Sequence, residues 1–147
     1  MQKDNINKSN YDCTIGVSGG KDSTYQTYLI TKVLGLKPLL LSFEPSFPTE
    51  VGKVNLENIV KAYGCDLIQL KKSPTYKKLA RIGFDVVGDH EWPNHVGIFC
   101  WPVQMASKLN IHANFLGEPN GLIGLGRWEA FLKEGAEELT RSDVEQY

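Results

Sequence analysis

Six consecutive residues, Ser18-Gly19-Gly20-Lys21-Asp22-Ser23, have the types and order needed to hold an oxyanion. Paired glycines let backbone N–H groups approach a phosphate with no Cβ in the way. Lys21 adds a mobile positive charge, Ser18 and Ser23 add hydroxyl donors, and Asp22 supplies a carboxylate for a cation. A second concentration of reactive types falls between Asp89 and Cys100. It holds two histidines, His90 and His95, with Glu91, Trp92 and Cys100. A histidine titrates near neutral pH and can take up or release a proton. The spacing of His90, His95 and Cys100 matches no common zinc pattern, so metal binding there is disfavoured. Cys100, flanked by Phe99 and Trp101, reads as a core-packing residue. His112 reads as structural.

For the six-residue stretch to bind phosphate, a strand must deliver it and a helix must begin at its end. The pattern supplies both. Residues 13–17 have the apolar content of a buried strand, and Tyr25, Tyr28, Leu29 and Val33 then recur at helical spacing. Further along, residues 39–43 form a continuous apolar run typical of a strand covered on both faces. Leu56, Ile59, Val60 and Tyr63 make a helical stripe that stops at Gly64. Residues 67–70 read as a third strand. Tyr76, Leu79, Ala80 and Gly83 or Phe84 suggest a helix after Pro74, with Gly83 as a weak point. Residues 88–95 read as a loop, followed by a helix on Ile98, Pro102, Met105, Ala106 and Leu109 that starts near Pro102. Residues 111–116 read as the fourth strand.

Strands alternating with helices argue for an α/β fold: an open parallel sheet with helices on both faces and right-handed crossovers. In the strand order 3-2-1-4 the chain reverses direction between strands 1 and 4, and ligands bind beyond the carboxyl ends of the strands at that point. The order brings residues 18–23 next to Gly117 and Glu118. Asp22 and Glu118 then form a candidate Mg²⁺ pair beside a phosphate chain.

The chain has 147 residues and a formal net charge of −1, which suits one domain and argues against a polyelectrolyte binder of nucleic acid. Residues 1–11 are a polar leader without the apolar core of a signal peptide, and no run approaches membrane-spanning length, so a cytoplasmic protein is expected. The three cysteines, Cys13, Cys65 and Cys100, are far apart and argue against a disulfide framework. Lys71, Lys72, Lys77, Lys78 and Arg81 cluster and read as a solvated helix face. The nucleotide-binding domain is expected over 12–131, with an acidic tail or helix over 132–147.

The six-residue loop does not fit the Walker pattern, because Ile15 stands where its first glycine belongs and Asp22 replaces Ser or Thr. It resembles the signature of the PP-loop ATP pyrophosphatases, which cleave ATP between the α- and β-phosphates. The resemblance narrows on three segments: 13–23, 95–106 (His-Val-Gly-Ile-Phe-Cys-Trp-Pro-Val-Gln-Met-Ala) and Leu116-Gly117-Glu118. Together these are similar to the N-acetyl sugar amidotransferases of bacterial surface polysaccharide and nonulosonic acid biosynthesis, of which the chain would be a short or truncated member.

The resemblance implies an adenine nucleotide alpha hydrolase-like fold, ATP and Mg²⁺ as cofactors, and adenine seated at Leu41, Ser42 and Phe43. It implies that the N-acetyl group of a nucleotide-linked sugar is activated by adenylylation. Ammonia would then replace the oxygen, arriving from glutaminase and cyclase-like subunits, with His90 and His95 as acid–base residues. Valine at Gly19 or Gly20 is expected to remove ATP binding and leave the fold intact. Two other readings stand beside this one: a PP-loop RNA-modifying enzyme, and a nucleotide-binding module without catalysis. Homo-oligomerisation is compatible with all three.

Overall fold

The computed structural model of the protein describes residues 10–117. Four strands, β1 (Cys13–Gly16), β2 (Pro38–Phe43), β3 (Asp66–Leu70) and β4 (Asn114–Phe115), form one parallel sheet in the order β3-β2-β1-β4. The α/β class, the open parallel sheet and the 3-2-1-4 order are those expected from the sequence.

Side-chain alternation in the two central strands builds two cores. Cys13 and Ile15 of β1, with Val17 beyond it and Leu40 of β2, point to one face. There they pack with Ile30, Leu56 and Ile59 from helices α1 (Lys21–Tyr28, continued by a π-helical turn, Leu29–Val33) and α2 (Glu50–Tyr63). Leu39 and Leu41 point to the other face and meet Ala106 of α4 (Trp92–Lys108) together with Ile111. The continuous apolar run of β2 is thus divided between the two cores by the two-residue period of a strand. On this second face β1 presents Thr14 and Gly16. Thr14 Oγ1 donates to Asn114 Oδ1 at 2.7 Å, tying β1 to β4. Gly16 leaves room for Leu116 and for Pro102 of α4.

Local chemistry sets the helix limits. Thr49 caps α2, its hydroxyl accepting from Gly52 N–H at 3.1 Å, and Gly64 ends it with φ of 62°. In α3 (Pro74–Val87), Pro74 occupies the first turn and Gly88 closes the end with φ of 74°. Gly83, the weak point in the sequence pattern, is buried where α3 meets α4. A Cβ there would lie 2.9 Å from the Asp89 carbonyl oxygen and 3.6 Å from Pro93. Its glycine is a packing requirement.

Four expectations are corrected. The loop expected over residues 88–95 is shorter: α4 begins at Trp92, so His95 and Cys100 stand on a helix and only the connection through His90 is irregular. Pro93 in the first turn favours the helix start, whereas Pro102, taken as the beginning, lies well inside. Secondly, α1 buries Ser23 and Thr27, followed by Ile30, while Tyr25 is 62% exposed and Tyr28 and Val33 are also exposed. Thirdly, β4 is two residues long, which leaves His112 outside it and exposed. Lastly, Cys100 is exposed, whereas Cys13 and Cys65 are the buried thiols. No helix among the described residues is long and apolar enough to cross a membrane.

Candidate phosphate-loop site

β1 ends at Gly16, and the chain turns through residues 17–20 into the first turn of α1. Val17 N–H donates to the Leu41 carbonyl at 2.8 Å, which holds the exit of β1 against β2. Gly19 then adopts φ of 82°, a left-handed conformation that favours glycine. A Cβ at this position would also lie 2.9 Å from the Gly52 carbonyl oxygen and 3.4 Å from Leu56 N, so the loop sits directly on α2. Gly20 is different. Its φ of −84° suits any residue, and a Cβ there would meet only the Ser18 hydroxyl, at 3.3 Å. The space in front of Gly20 is therefore open, as a phosphate cradle requires.

The loop is braced from within. Ser18 N–H donates to Ser23 Oγ (3.4 Å), the Ser23 hydroxyl donates to the Gly20 carbonyl (3.1 Å), and the Thr24 hydroxyl donates to the same carbonyl (2.8 Å). Ser23 is buried, and its hydroxyl is engaged in this bracing. Lys21 and Asp22 are exposed at the mouth and enter no ion pair among the described residues. The first N–H groups of α1 have no partner within the helix and carry its positive dipole end.

At the expected switch point, Gly117 stands beside the start of α1. A Cβ on it would lie 3.7 Å from Ser23 N. Gln26 Nε2 donates to the Leu116 carbonyl at 3.2 Å, fastening the end of β4 to α1. Glu118, the second proposed metal ligand, lies outside the described residues, as does the acidic tail. Of the three residues proposed to seat adenine, Leu41 and Ser42 are buried at 1% and 2% exposure. Their side chains are enclosed, so only Phe43 presents its side chain at a partly open surface. Its ring lies against Gly97 of α4, where any Cβ would overlap it.

His90 and His95 are both exposed. His90 Nε2 lies 3.6 Å from Glu91 Oε1, and its ring stands 6.4 Å from that of Phe47. The polar side chains that converge near the carboxyl ends of β2 and β3 are others; the sequence pattern singles out Glu91 and Lys72 separately but does not bring them together. Lys72 Nζ donates to Asn94 Oδ1 (2.7 Å) and to Ser46 Oγ (3.2 Å), and the Ser46 hydroxyl donates to Glu91 Oε2 (3.0 Å). Lys72 N–H is bound by Glu44 Oε2 at 2.9 Å. The ammonium lies 4.1 Å from the centre of the Tyr76 ring and 5.2 Å from that of Phe43, within cation–π range of both.

Burial lowers the pKa of Lys72, against the opposing pull of Glu91 and Glu44. Lys72 thus departs from the solvated basic face on which Lys71, Lys77, Lys78 and Arg81 lie exposed. The cluster draws on four separate segments, and no short spacing pattern announces it.

A cleft of about 640 Å³ opens at Gly19, Gly20 and Lys21 and runs between α1 and α2 past Tyr25, Tyr28 and Asn58. It accounts for the exposure of the α1 tyrosines, whose rings stack 6.3 Å apart. Compared with known proteins, the chain matches no family model and no curated protein.

Proposed function

We propose that the protein is a PP-loop ATP pyrophosphatase-type enzyme that adenylylates the N-acetyl group of a nucleotide-linked sugar, preparing it for replacement by ammonia. One observation carries this reading. A glycine loop with open space at Gly20 leads from a central parallel strand into a helix N-terminus, beside Gly117 from the strand across the switch point. This is the ligand position of open parallel sheets. The loop departs from the Walker pattern at Ile15 and Asp22, and its resemblance to the PP-loop signature is what implies cleavage between the α- and β-phosphates.

In this reading the N–H groups at the start of α1 and the Lys21 ammonium hold the β- and γ-phosphates. They stabilise the pyrophosphate as charge accumulates on it, a role in which preorganised donors are effective. Asp22, exposed at the mouth, would hold Mg²⁺ together with Glu118, and the ion would supply charge neutralisation for the triphosphate. Phe43 offers an apolar wall for the base. His90 or His95 would take up a proton when ammonia attacks. Ammonia would come from glutaminase and cyclase-like partner subunits, and a reaction that consumes ATP and a nucleotide-linked sugar would run in the cytoplasm.

The test is Mg-ATP affinity of Gly20→Val by calorimetry. The variant should fold, since little of the chain stands in the way of its side chain, and binding should be lost. Unchanged affinity in a folded variant would refute the assignment.

A further inference from the structure

Two neighbouring helices, α3 and α4, turn apolar side chains outward. On its inner side α4 packs against the sheet through Met105 and Ala106, with Pro102 beside Gly16. Its opposite side carries Trp92, Val96 and Val103, spaced i, i+4 and i+11 and all exposed, Val103 at 52%. In α3, Leu79, Ile82 and Val86 recur at i, i+3 and i+7 and are exposed as well, Val86 at 75%. The buried residue of α3 is Gly83, which sits against Pro93 of α4. A helix of a globular protein normally turns its apolar stripe to the core. Here both stripes face outward, and exposed apolar surface on this scale marks a docking face.

Charge says what the face fits. Together α3 and α4 carry four bases, Lys77, Lys78, Arg81 and Lys108, against one acid, Asp85. Lys71 adds a base just before α3, and all five bases are exposed. Arg81 Nε lies 4.0 Å from Asp85 Oδ2 at the surface, so the acid offsets one base at most. Lys78 stands four residues before Ile82 and thus beside the apolar stripe. A second copy of the chain would bring two such faces together, base against base, which opposes self-association. The complement is an anionic surface. A lipid bilayer offers negative headgroups beside an apolar interior, and lysine or arginine can reach the headgroups while aliphatic side chains enter below them. Trp92 suits the same boundary, where tryptophan is enriched. Neither an inserted aliphatic nor an exposed lysine needs a partner of fixed geometry, which favours a fluid bilayer over a folded acidic protein.

We propose that the outer face of α3 and α4 docks the protein on an anionic lipid bilayer, its aliphatic stripes entering the headgroup boundary and its bases contacting lipid phosphates. With 14 residues α3 is too short to span, and no helix among the described residues is long and apolar enough to do so. Both helices therefore lie along the surface, where each base adds about a fivefold gain in binding that salt screens. The phosphate-loop cleft stays accessible in this arrangement, because α1 and α2 pack on the other face of the sheet.

The experiment sediments the full chain with vesicles of phosphatidylcholine alone and of an equal mixture with phosphatidylglycerol, in low and in high salt. Wild type should bind the mixed vesicles in low salt, and binding should fall in high salt and on the neutral vesicles. Lys77→Gln combined with Lys78→Gln should weaken binding by roughly 25-fold, about fivefold for each base. Ile82→Ser combined with Val86→Ser should weaken it by roughly tenfold through lost apolar insertion. All four positions are exposed, so the variants should keep the wild-type fold by circular dichroism. Lys53→Gln removes an exposed base from α2, on the other face, and should bind as wild type does. Absence of binding to the mixed vesicles would overturn the proposal. So would equal loss in Lys53→Gln, full binding by both double variants, or a lipid-free dimer that Ile82→Ser with Val86→Ser dissociates, which would give the face to a second copy. Gly20→Val should bind vesicles like wild type, so the phosphate-loop assignment stands or falls separately.

Discussion

Two adjacent glycines in the loop do different work, and their substitutions separate folding from binding. Gly19 has φ of 82° and no room for a Cβ against the Gly52 carbonyl oxygen. Gly19→Ala should therefore destabilise the protein by about 1–2 kcal/mol for the left-handed backbone alone, with the contact adding to that, as read by chemical denaturation. Valine there would disturb the fold, contrary to the expectation drawn from the sequence, and only Gly20→Val is a clean probe of the phosphate cradle. Cys13 gives a residue-scale pH prediction. Burial, aided by Asp12 and Cys65, pushes its thiol up to about 11 from the ordinary 9.0. An acid whose folded pKa is raised contributes stability that is complete below the unfolded pKa and is lost as pH rises through the folded one. Stability should thus decline between pH 9 and about 11, and the decline should be shallower in Cys13→Ala. An identical pH profile in the variant would show that the Cys13 thiol does not contribute. The phosphate loop was legible because its six residues are contiguous. Ser46, Lys72, Tyr76, Glu91 and Asn94 were not, because their meeting depends on how three connections fold together.

The packing of α3 and α4 depends on two glycines that helix propensity would replace. Gly83→Ala gains roughly 1 kcal/mol of propensity but places a methyl 2.9 Å from the Asp89 carbonyl oxygen. Overpacking against backbone typically costs about 1–3 kcal/mol, so a net loss of melting temperature is expected. A stabilised variant would mean that α3 can shift from α4 at little cost. Gly97→Ala should push the Phe43 ring off α4 and disturb its edge contact with Tyr76, whose centroids are 6.2 Å apart. Altered aromatic NMR shifts for both rings are the readout. The two central strands and α2 were legible because their patterns are clear: β2 is apolar apart from Ser42, and α2 has a stripe with a cap at each end. The start of α4 was not, because Pro102 looks like a helix beginning, whereas it lies buried inside the helix next to Gly16. The buried face of α1 was also missed. Its aromatic stripe faces the cleft beside α2, while small polar residues, Ser23 and Thr27, let the helix sit close to the sheet.

Across the whole molecule, the strand order 3-2-1-4 does the organising. It was legible because alternating strands and helices with right-handed crossovers admit few arrangements. It gathers the loop after β1, Gly117 after β4, and the polar cluster beyond β2 and β3 along the carboxyl edge of one sheet. In the proposed function the phosphates are held on this edge, at the start of α1. On the function proposed above, ATP should be split only at the α-phosphorus. The most direct measurement is chromatography of the products formed from Mg-ATP, an N-acetyl nucleotide-sugar and ammonia by the wild-type chain and by Gly20→Val. AMP and pyrophosphate are expected from the wild type and neither from the variant; ADP and phosphate as the main products would contradict the pyrophosphatase assignment.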